Sequence, residues 1–476
     1  MKRNCNNMKK ILLLTMALGF AGASPLLAVG PTVDVYITGS TAFRANVYTA
    51  CQKLFNPAQS GTSSTYFADA AHGGANSGFS SKTASWVMTG TPISALTNLN
   101  GDTLVIHGLF TGSIQGIQTT EGNTKLAWAQ PHGTAGGNAD TYVTNSPTIG
   151  FSDASSTSVP YPVTDNTAEE TVCIQPFVMC KSTCSNSIMS SINNVTWDQL
   201  YYGIPVGRIP ASAWTYKSAD SSNFVYLVQR TADSGTRRCE TSQESYLFTD
   251  TVGVYIWDAT NQLYYSPTNT TPLVTAGQGS TSTATNVQVV GTEGPGNNGA
   301  NLGWGPGYIG GGDIATELGY NNSNNQAIAF LSMGDSRTIV STTNWSQVIS
   351  YDGLWPTAAG AGITTGTGTT NDYSPITDGF YPCWGYEVLV HLIDPTADSA
   401  RDQDINSTQL GSQTQPGSFL GVFNAQTFIN GGSPITGSIE NEIELSKTVA
   451  PAYATAIRWN EMKSNRSAVG GVISPF

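Results

Sequence analysis

Val33-Asp34-Val35-Tyr36-Ile37 followed by Thr38-Gly39-Ser40-Thr41-Ala42-Phe43 decides how this chain is read. The β-branched and aromatic residues over 33–37 predict a strand. Thr38-Gly39-Ser40-Thr41 then interrupts it with turn formers, and either Ser40 or Thr41 suits a helix N-cap. From Phe43 the apolar residues fall at Val47, Ala50, Cys51 and Leu54, one face of a helix. The unit is therefore strand, tight turn, helix. It recurs at Phe224-Val225-Tyr226-Leu227-Val228, which leads through Arg230-Thr231-Ala232-Asp233-Ser234-Gly235-Thr236 into a polar helix past Glu240 and Glu244. Leu104-Val105-Ile106-His107-Gly108-Leu109-Phe110 likewise runs into Thr111-Gly112-Ser113. Strands feeding helices through short turns indicate an α/β fold with mostly parallel sheets flanked by helices.

The composition narrows what such a fold can do. The chain has 476 residues, enough for two lobes, yet only 11% are Asp, Glu, Lys or Arg, against about 25% in an average soluble chain. Its polar surface is built from neutral groups: 51 residues are Gly, and Ser plus Thr make up roughly a fifth of the chain. Aromatic residues at 10% argue against disorder. Residues 1–28 carry Lys2, Arg3, Lys9 and Lys10 and no acid, so the net charge of −12 becomes −16 without them. That excludes general nucleic-acid binding, which needs a basic footprint, and disfavours an anionic membrane surface.

The N-terminus has the form of a secretory signal peptide over 1–28. Lys9-Lys10 precede the apolar run Ile11–Phe20, and Ala21-Gly22-Ala23-Ser24 follows. Cleavage after Ala23 or Ala28 fits equally. The run is short for a bilayer span, so the expected location is periplasmic or extracellular. Cys5 leaves with the signal. Cys51, Cys173, Cys180, Cys184, Cys239 and Cys383 remain, an even number that permits disulfides without fixing their pairing. The spacing of Cys173, Cys180 and Cys184 is wrong for a zinc ribbon or finger, and no His lies nearby, so no metal is expected. Gly/Ser/Thr/Asn-rich stretches near 56–95, 130–148, 265–312 and 358–378 read as surface loops or insertions. No repeat of fixed period is present.

Ser and Thr beside Gly at a helix start suit an oxyanion. The first helical N–H groups lack internal partners, and the dipole leaves partial positive charge there. Arg230 adds a guanidinium, whose fork matches a tetrahedral anion. It is the only fixed positive charge that the sequence places near such a turn. On these residues the chain resembles the periplasmic phosphate-binding proteins of bacterial phosphate ABC transporters. Thr38-Gly39-Ser40-Thr41-Ala42-Phe43 is similar to that family's first phosphate loop, and Gly112-Ser113-Ile114-Gln115-Gly116-Ile117 to its second. Ile149-Gly150-Phe151-Ser152-Asp153-Ala154 resembles the segment whose aspartate accepts the proton of bound phosphate. Arg230 with Ser234-Gly235-Thr236 matches the Arg-x-x-x-Ser-Gly-Thr motif of the second lobe. Where the family has an Asp two residues after the Arg, this chain has Ala232, with Asp233 one later.

The resemblance implies a two-lobed type II periplasmic binding protein with a ligand cleft between the lobes. Lobe 1 would comprise 29–172 and 388–476, and lobe 2 would comprise 173–387 with an insertion near 265–312. The chain would cross between lobes near Cys173–Met179 and Tyr381–Leu392. Phosphate would be held by Ser40, Thr41, Ala42, Phe43, Ser113, Asp153, Arg230, Ser234, Gly235 and Thr236. The implied partners are inorganic phosphate and the membrane permease of an ABC importer, served by a monomer without cofactor or catalytic residues. A different oxyanion, or a surface protein that keeps the fold without transport, are the alternatives. A secreted esterase is a third, through Gly334-Asp335-Ser336 and a His such as His391, although His391 sits in the apolar run Val388–Leu392. Gly303-Trp304-Gly305-Pro306-Gly307 lacks the strand-to-helix frame of a dinucleotide site. Asp402 and Asp404 read as a solvated loop pair, and Glu169-Glu170 as exposed residues.

Overall fold

A computed structural model describes residues 30–475, leaving out 57–62, 69–84, 132–137, 160–165, 266–286, 289–306, 340–346, 359–371, 426–437, 444–455 and some shorter segments. Residues 1–28, most of the 265–312 insertion, Asp402, and Gly303 to Pro306 lie outside the described residues. Among the described residues no helix is long and apolar enough to cross a membrane.

The opening strand β1 (Thr32–Gly39) pairs parallel with β2 (Thr103–Leu109) and β3 (Ile149–Ser152). Being parallel, all three strands end on the same side of the sheet. After β1 comes α1 (Arg44–Lys53), and after β2 comes α2 (Ser113–Glu121). The apolar face predicted for α1 is buried in full: Phe43, Val47, Ala50, Cys51 and Leu54 are all inaccessible. Its start differs from expectation. Neither Ser40 nor Thr41 is the N-cap; Phe43 is, without a side-chain cap bond. Ser40 instead accepts the Phe43 N–H at 3.3 Å, closing the turn before the helix begins.

The long strand β4 (Thr167–Lys181) joins the two halves of the molecule. Its residues 167–176 pair antiparallel with β7 (Trp384–Leu392), which also pairs antiparallel with β3. Residues 177–181 pair instead with β6 (Ala327–Ser332), which lies parallel to β5 (Phe224–Leu227). One 13-stranded mixed sheet thus runs through both halves, with its ladder changing partner at Pro176/Phe177. Strands that lead into helices pair in parallel, while the crossing strands and edge hairpins pair antiparallel. After β5 comes α3 (Gly235–Gln243), and α4 (Gly311–Leu318) precedes β6.

Two apolar cores flank β4. The first gathers Val35, Ile37, Phe43, Ile106, Phe151 and Phe423; the second gathers Phe177, Met179, Val225, Ile328, Leu331 and Trp384. The C-terminal chain reaches both cores: Ile405, Phe419, Ile439 and Ala456 pack in the first. Ile457 bridges to Ile174, Met462 joins the second core, and Arg466 donates to the Trp384 and Pro382 carbonyls. Cys51, Cys173, Cys180, Cys184, Cys239 and Cys383 are buried as free thiols, none paired with another. Glu170, read as exposed, is buried, accepting from Gln413 N and Asn424 Nδ2.

Several other carboxyls are also buried. Burial pushes Glu240 up to about 7, and Glu244 and Glu317 up to about 8, from an ordinary value of 4.5. An acid whose folded pKa is raised binds its proton in the native state over a range where the unfolded chain has lost it. Its contribution is therefore complete below about pH 4.5 and is lost as pH climbs through 7 to 8. Thermal midpoints measured across this range are expected to fall as pH rises. Glu317→Gln, which cannot ionise, is expected to flatten the upper part of that curve.

Candidate functional site

The turns after β1, β2 and β3 meet the turn after β5 at the edge of the sheet, and the hydroxyl-rich motifs lie there. Gly39 has φ +121, and a Cβ on it would strike the Phe151 carbonyl, so the first turn can lie against β3 only with glycine at this position. Ser40 N–H bonds that same carbonyl at 3.0 Å. Thr41 is buried behind it, and its Oγ1 accepts from Arg230 Nη2 at 3.0 Å. Arg230 also donates through Nε to the Tyr308 carbonyl at 3.1 Å, which fixes the plane of the guanidinium. Ala42 is half-buried beside them, and Phe43 turns its ring into the first core.

Asp153 follows β3 and is only 1% exposed. Ser113, the first residue of α2, donates its hydroxyl to Asp153 Oδ1. Thr236, in the first turn of α3, donates to Oδ2 at 3.0 Å. The carboxyl thus takes one hydroxyl from each half of the molecule. Ser234 caps α3, accepting the Arg237 N–H at 3.3 Å. Gly235 faces Asp153 so closely that a Cβ would fall on Oδ1. Ile114 N–H to the Asp233 carbonyl, at 2.9 Å, adds a backbone contact between α2 and the second-half turn. Burial raises Asp153 above the usual carboxylate range, while Ser113, the Arg230 charge and Thr236 pull it back.

Three further charged side chains belong to this cluster. Arg44, at the start of α1, is 5% exposed. Burial lowers its pKa, Asp335 and Asp313 oppose this, and the like charge of Arg230 adds to it. Arg230 is therefore not the only cation at the site. Asp335 accepts from Ser332 Oγ at 2.9 Å and packs against Gly311 at the start of α4. Burial raises it, and Arg44 and Arg230 lower it. Glu387 on β7 is wholly buried and senses both Asp153 and Ser40. Arg44 and Glu387 each sit inside an apolar pattern that hides them. Only the place of Arg44, directly behind a Gly-Ser-Thr turn, could have drawn attention to it.

Gly334-Asp335-Ser336 does not assemble an esterase site. Ser336 Oγ donates to the Met333 carbonyl, while His391 faces Glu170 at 3.5 Å and the Leu392 carbonyl at 2.9 Å. Both partners are committed elsewhere. Asp233, displaced by one from the family's aspartate, accepts the Thr231 hydroxyl and lies within the field of Arg230. Among the described residues no three His, Cys, Asp or Glu side chains are grouped to hold a metal ion.

No protein-family model matches the chain, and no curated protein matches it. Solved structures do. A putative phosphate ABC transporter substrate-binding protein from Clostridium perfringens, with bound phosphate, is 12% identical with a TM-score of 0.36, over 77% of this chain and 89% of its own. An ABC-type phosphate transport receptor from Vibrio cholerae is 12% identical with a TM-score of 0.32, over 78% and 91%. A phosphate-binding protein from Stenotrophomonas maltophilia is 12% identical with a TM-score of 0.33, over 77% and 81%. At such identities the role of each residue has to come from the geometry of this chain.

That geometry makes Gly235 decisive for the contact between the halves. Gly235→Ala is expected to push α3 off Asp153 and hold the two halves apart, since the added methyl occupies the position of a carboxylate oxygen. Small-angle scattering is the check: the variant should show a larger radius of gyration than the parent, with unchanged circular dichroism.

Proposed function

We propose that the chain is an exported solute-binding protein that captures inorganic phosphate between its two halves and delivers it to the permease of an ABC importer. The observation that supports it most directly is the convergence on Asp153 and Arg230 of hydroxyls from both sides: Thr41 and Ser113 from one, Thr236 from the other. Ser40, Ala42, Phe43, Ser234 and Gly235 form the turns that bring them there. In this reading 29–172 with 388–476 forms one lobe and 173–387 forms the other.

A dianion stripped of water needs charge-assisted hydrogen bonds to compensate. Arg230 and Arg44 supply cationic donors, the Ser113 and Thr236 hydroxyls neutral ones, and the first turns of α2 and α3 contribute amides at positive dipole ends. On arrival the anion takes over the Arg230 contact now made by Thr41. Since these donors come from opposite halves, the anion stabilises the closed arrangement more than the open one. Asp153 discriminates. In its ionised form it only accepts hydrogen bonds, so hydrogen phosphate can donate a proton to it, whereas sulfate meets it as an unrelieved like charge.

Calorimetry on the protein should give phosphate binding at least about a hundredfold tighter than sulfate, with Arg230→Ala weakening phosphate by a similar factor. Asp153→Asn should narrow the phosphate/sulfate ratio. Equal affinity for the two anions would reassign the site to another oxyanion, and no binding of either would point to a protein that keeps the fold without transport.

A further inference from the structure

Near Asp153 and Ser40 lies a second acid that the phosphate reading does not use. Glu387 is 0% exposed, and neither of its carboxyl oxygens has a hydrogen-bond partner at good geometry. It lies on β7 opposite Cys173 of β4, where the ladder register slips between Glu387 and Val388. Such irregularities re-aim side chains beside functional sites. Two positions before it, Gly385 packs against the Asp153 carbonyl and Cys239 Sγ, which holds this part of β7 against the Asp153 turn.

The groups around it have little means of stabilising a negative charge. Asp153, from the turn after β3, is itself acidic, and Ser40, from the turn after β1, offers one hydroxyl. Cys173 on β4 and Cys239 on α3 both feel the Glu387 charge, and burial holds both as thiols. Arg466 reaches Cys239 and the Trp384 carbonyl but is not among the groups that act on Glu387. Burial and Asp153 together push the Glu387 carboxyl well above the usual range, against a smaller opposing effect of Ser40. A second carboxyl nearby disfavours the charged form of Glu387 and so adds to the effect of burial.

We propose that Glu387 is a second anion-facing acid of this site, which donates a hydrogen bond to one ligand oxygen while Asp153 accepts from another. This role presupposes the phosphate reading of the same cleft and extends it. The pair presents one acceptor and one donor, and so selects an oxyanion that carries a proton of its own. Raising the pH removes the donor and leaves two negative groups facing the ligand, so phosphate affinity declines for a reason additional to the ionisation of phosphate itself.

The experiment is phosphate calorimetry on the full chain, Glu387→Gln and Glu387→Ala between about pH 5 and about pH 9, a range that spans a raised carboxyl. Glu387→Gln keeps the size and a donor but cannot ionise. It should bind within about threefold of wild type at low pH and more tightly than wild type at high pH, since a lost hydrogen bond is worth about that much or more. Glu387→Ala should lose about tenfold or more at low pH. Superimposable profiles for wild type and Glu387→Gln would overturn the donor role and leave the phosphate reading standing. Should Glu387→Ala fail to fold, the Gln profile alone decides. Infrared difference spectra of wild type against Glu387→Gln should also show a protonated-carboxyl carbonyl band that shifts when phosphate is added. If wild type takes no phosphate at any pH, the phosphate reading fails by itself. A missing band, or one unmoved by both phosphate and sulfate, overturns the Glu387 role as well.

Discussion

The carboxyl of Asp153 is held at both oxygens by hydroxyls that belong to opposite halves of the molecule. Buried acids are costly unless their charge is shared out, and here the sharing partners are the first turns of two helices, α2 and α3. Much of the cleft depends on that arrangement. Gly235 has to lack a side chain, Ser234 has to cap α3 rather than reach outward, and β3 has to end where it does. Arg230 closes the ring by bonding Thr41 across the same gap. A protein with few charges has placed a large share of its buried ones here.

The electrostatics of the cluster are closer to balance than a motif reading suggests. Two guanidiniums, Arg44 and Arg230, face Asp153, Asp335 and Asp313, with Glu387 nearby. Like charges buried together repel, and the mixture of signs is what lets each remain in the interior. An anion entering such a cluster is met by specific donors rather than by a positive field, so the acidic net charge of the chain is no obstacle to it.

Much of this was legible in the residues. The strand-turn-helix units were readable because the hydrophobic period changes abruptly across a Gly-Ser-Thr break, as at Ile37 to Phe43, and local patterning of that kind survives in the fold. Thr41, Ser113, Arg230 and Thr236 stood out at the turns of such units, whereas Asp153 and the grouping of all five into one site were implied by the family resemblance. What sequence could not show was long-range. Glu387 lies in an apolar strand, and nothing local marks it as a neighbour of Asp153 and Ser40. Arg44 shares a helix with the buried Val47 and Cys51, and the acids that face it, Asp313 and Asp335, lie far along the chain. The return of the C-terminal chain to the second core depends on contacts such as Ile457 with Ile174, which join segments far apart in the chain. The unpaired thiols show the same limit, since an even count says nothing about which sulfurs meet.

The crossing strand β4 passes from one set of partners to the other at Pro176. Proline has no N–H, so the ladder contributes no donor from that residue. The Phe177 N–H beyond it is satisfied by the Cys383 carbonyl at 2.9 Å, outside the pairing with β6. The pyrrolidine ring also fixes φ at this residue, so the change of partner is made where the backbone has least torsional freedom. The bond from Phe177 to Cys383 then carries the contact with the neighbouring chain across the step. The two ladders are joined through a covalently set angle, and the place where one half's pairing gives way to the other's is held at a single residue.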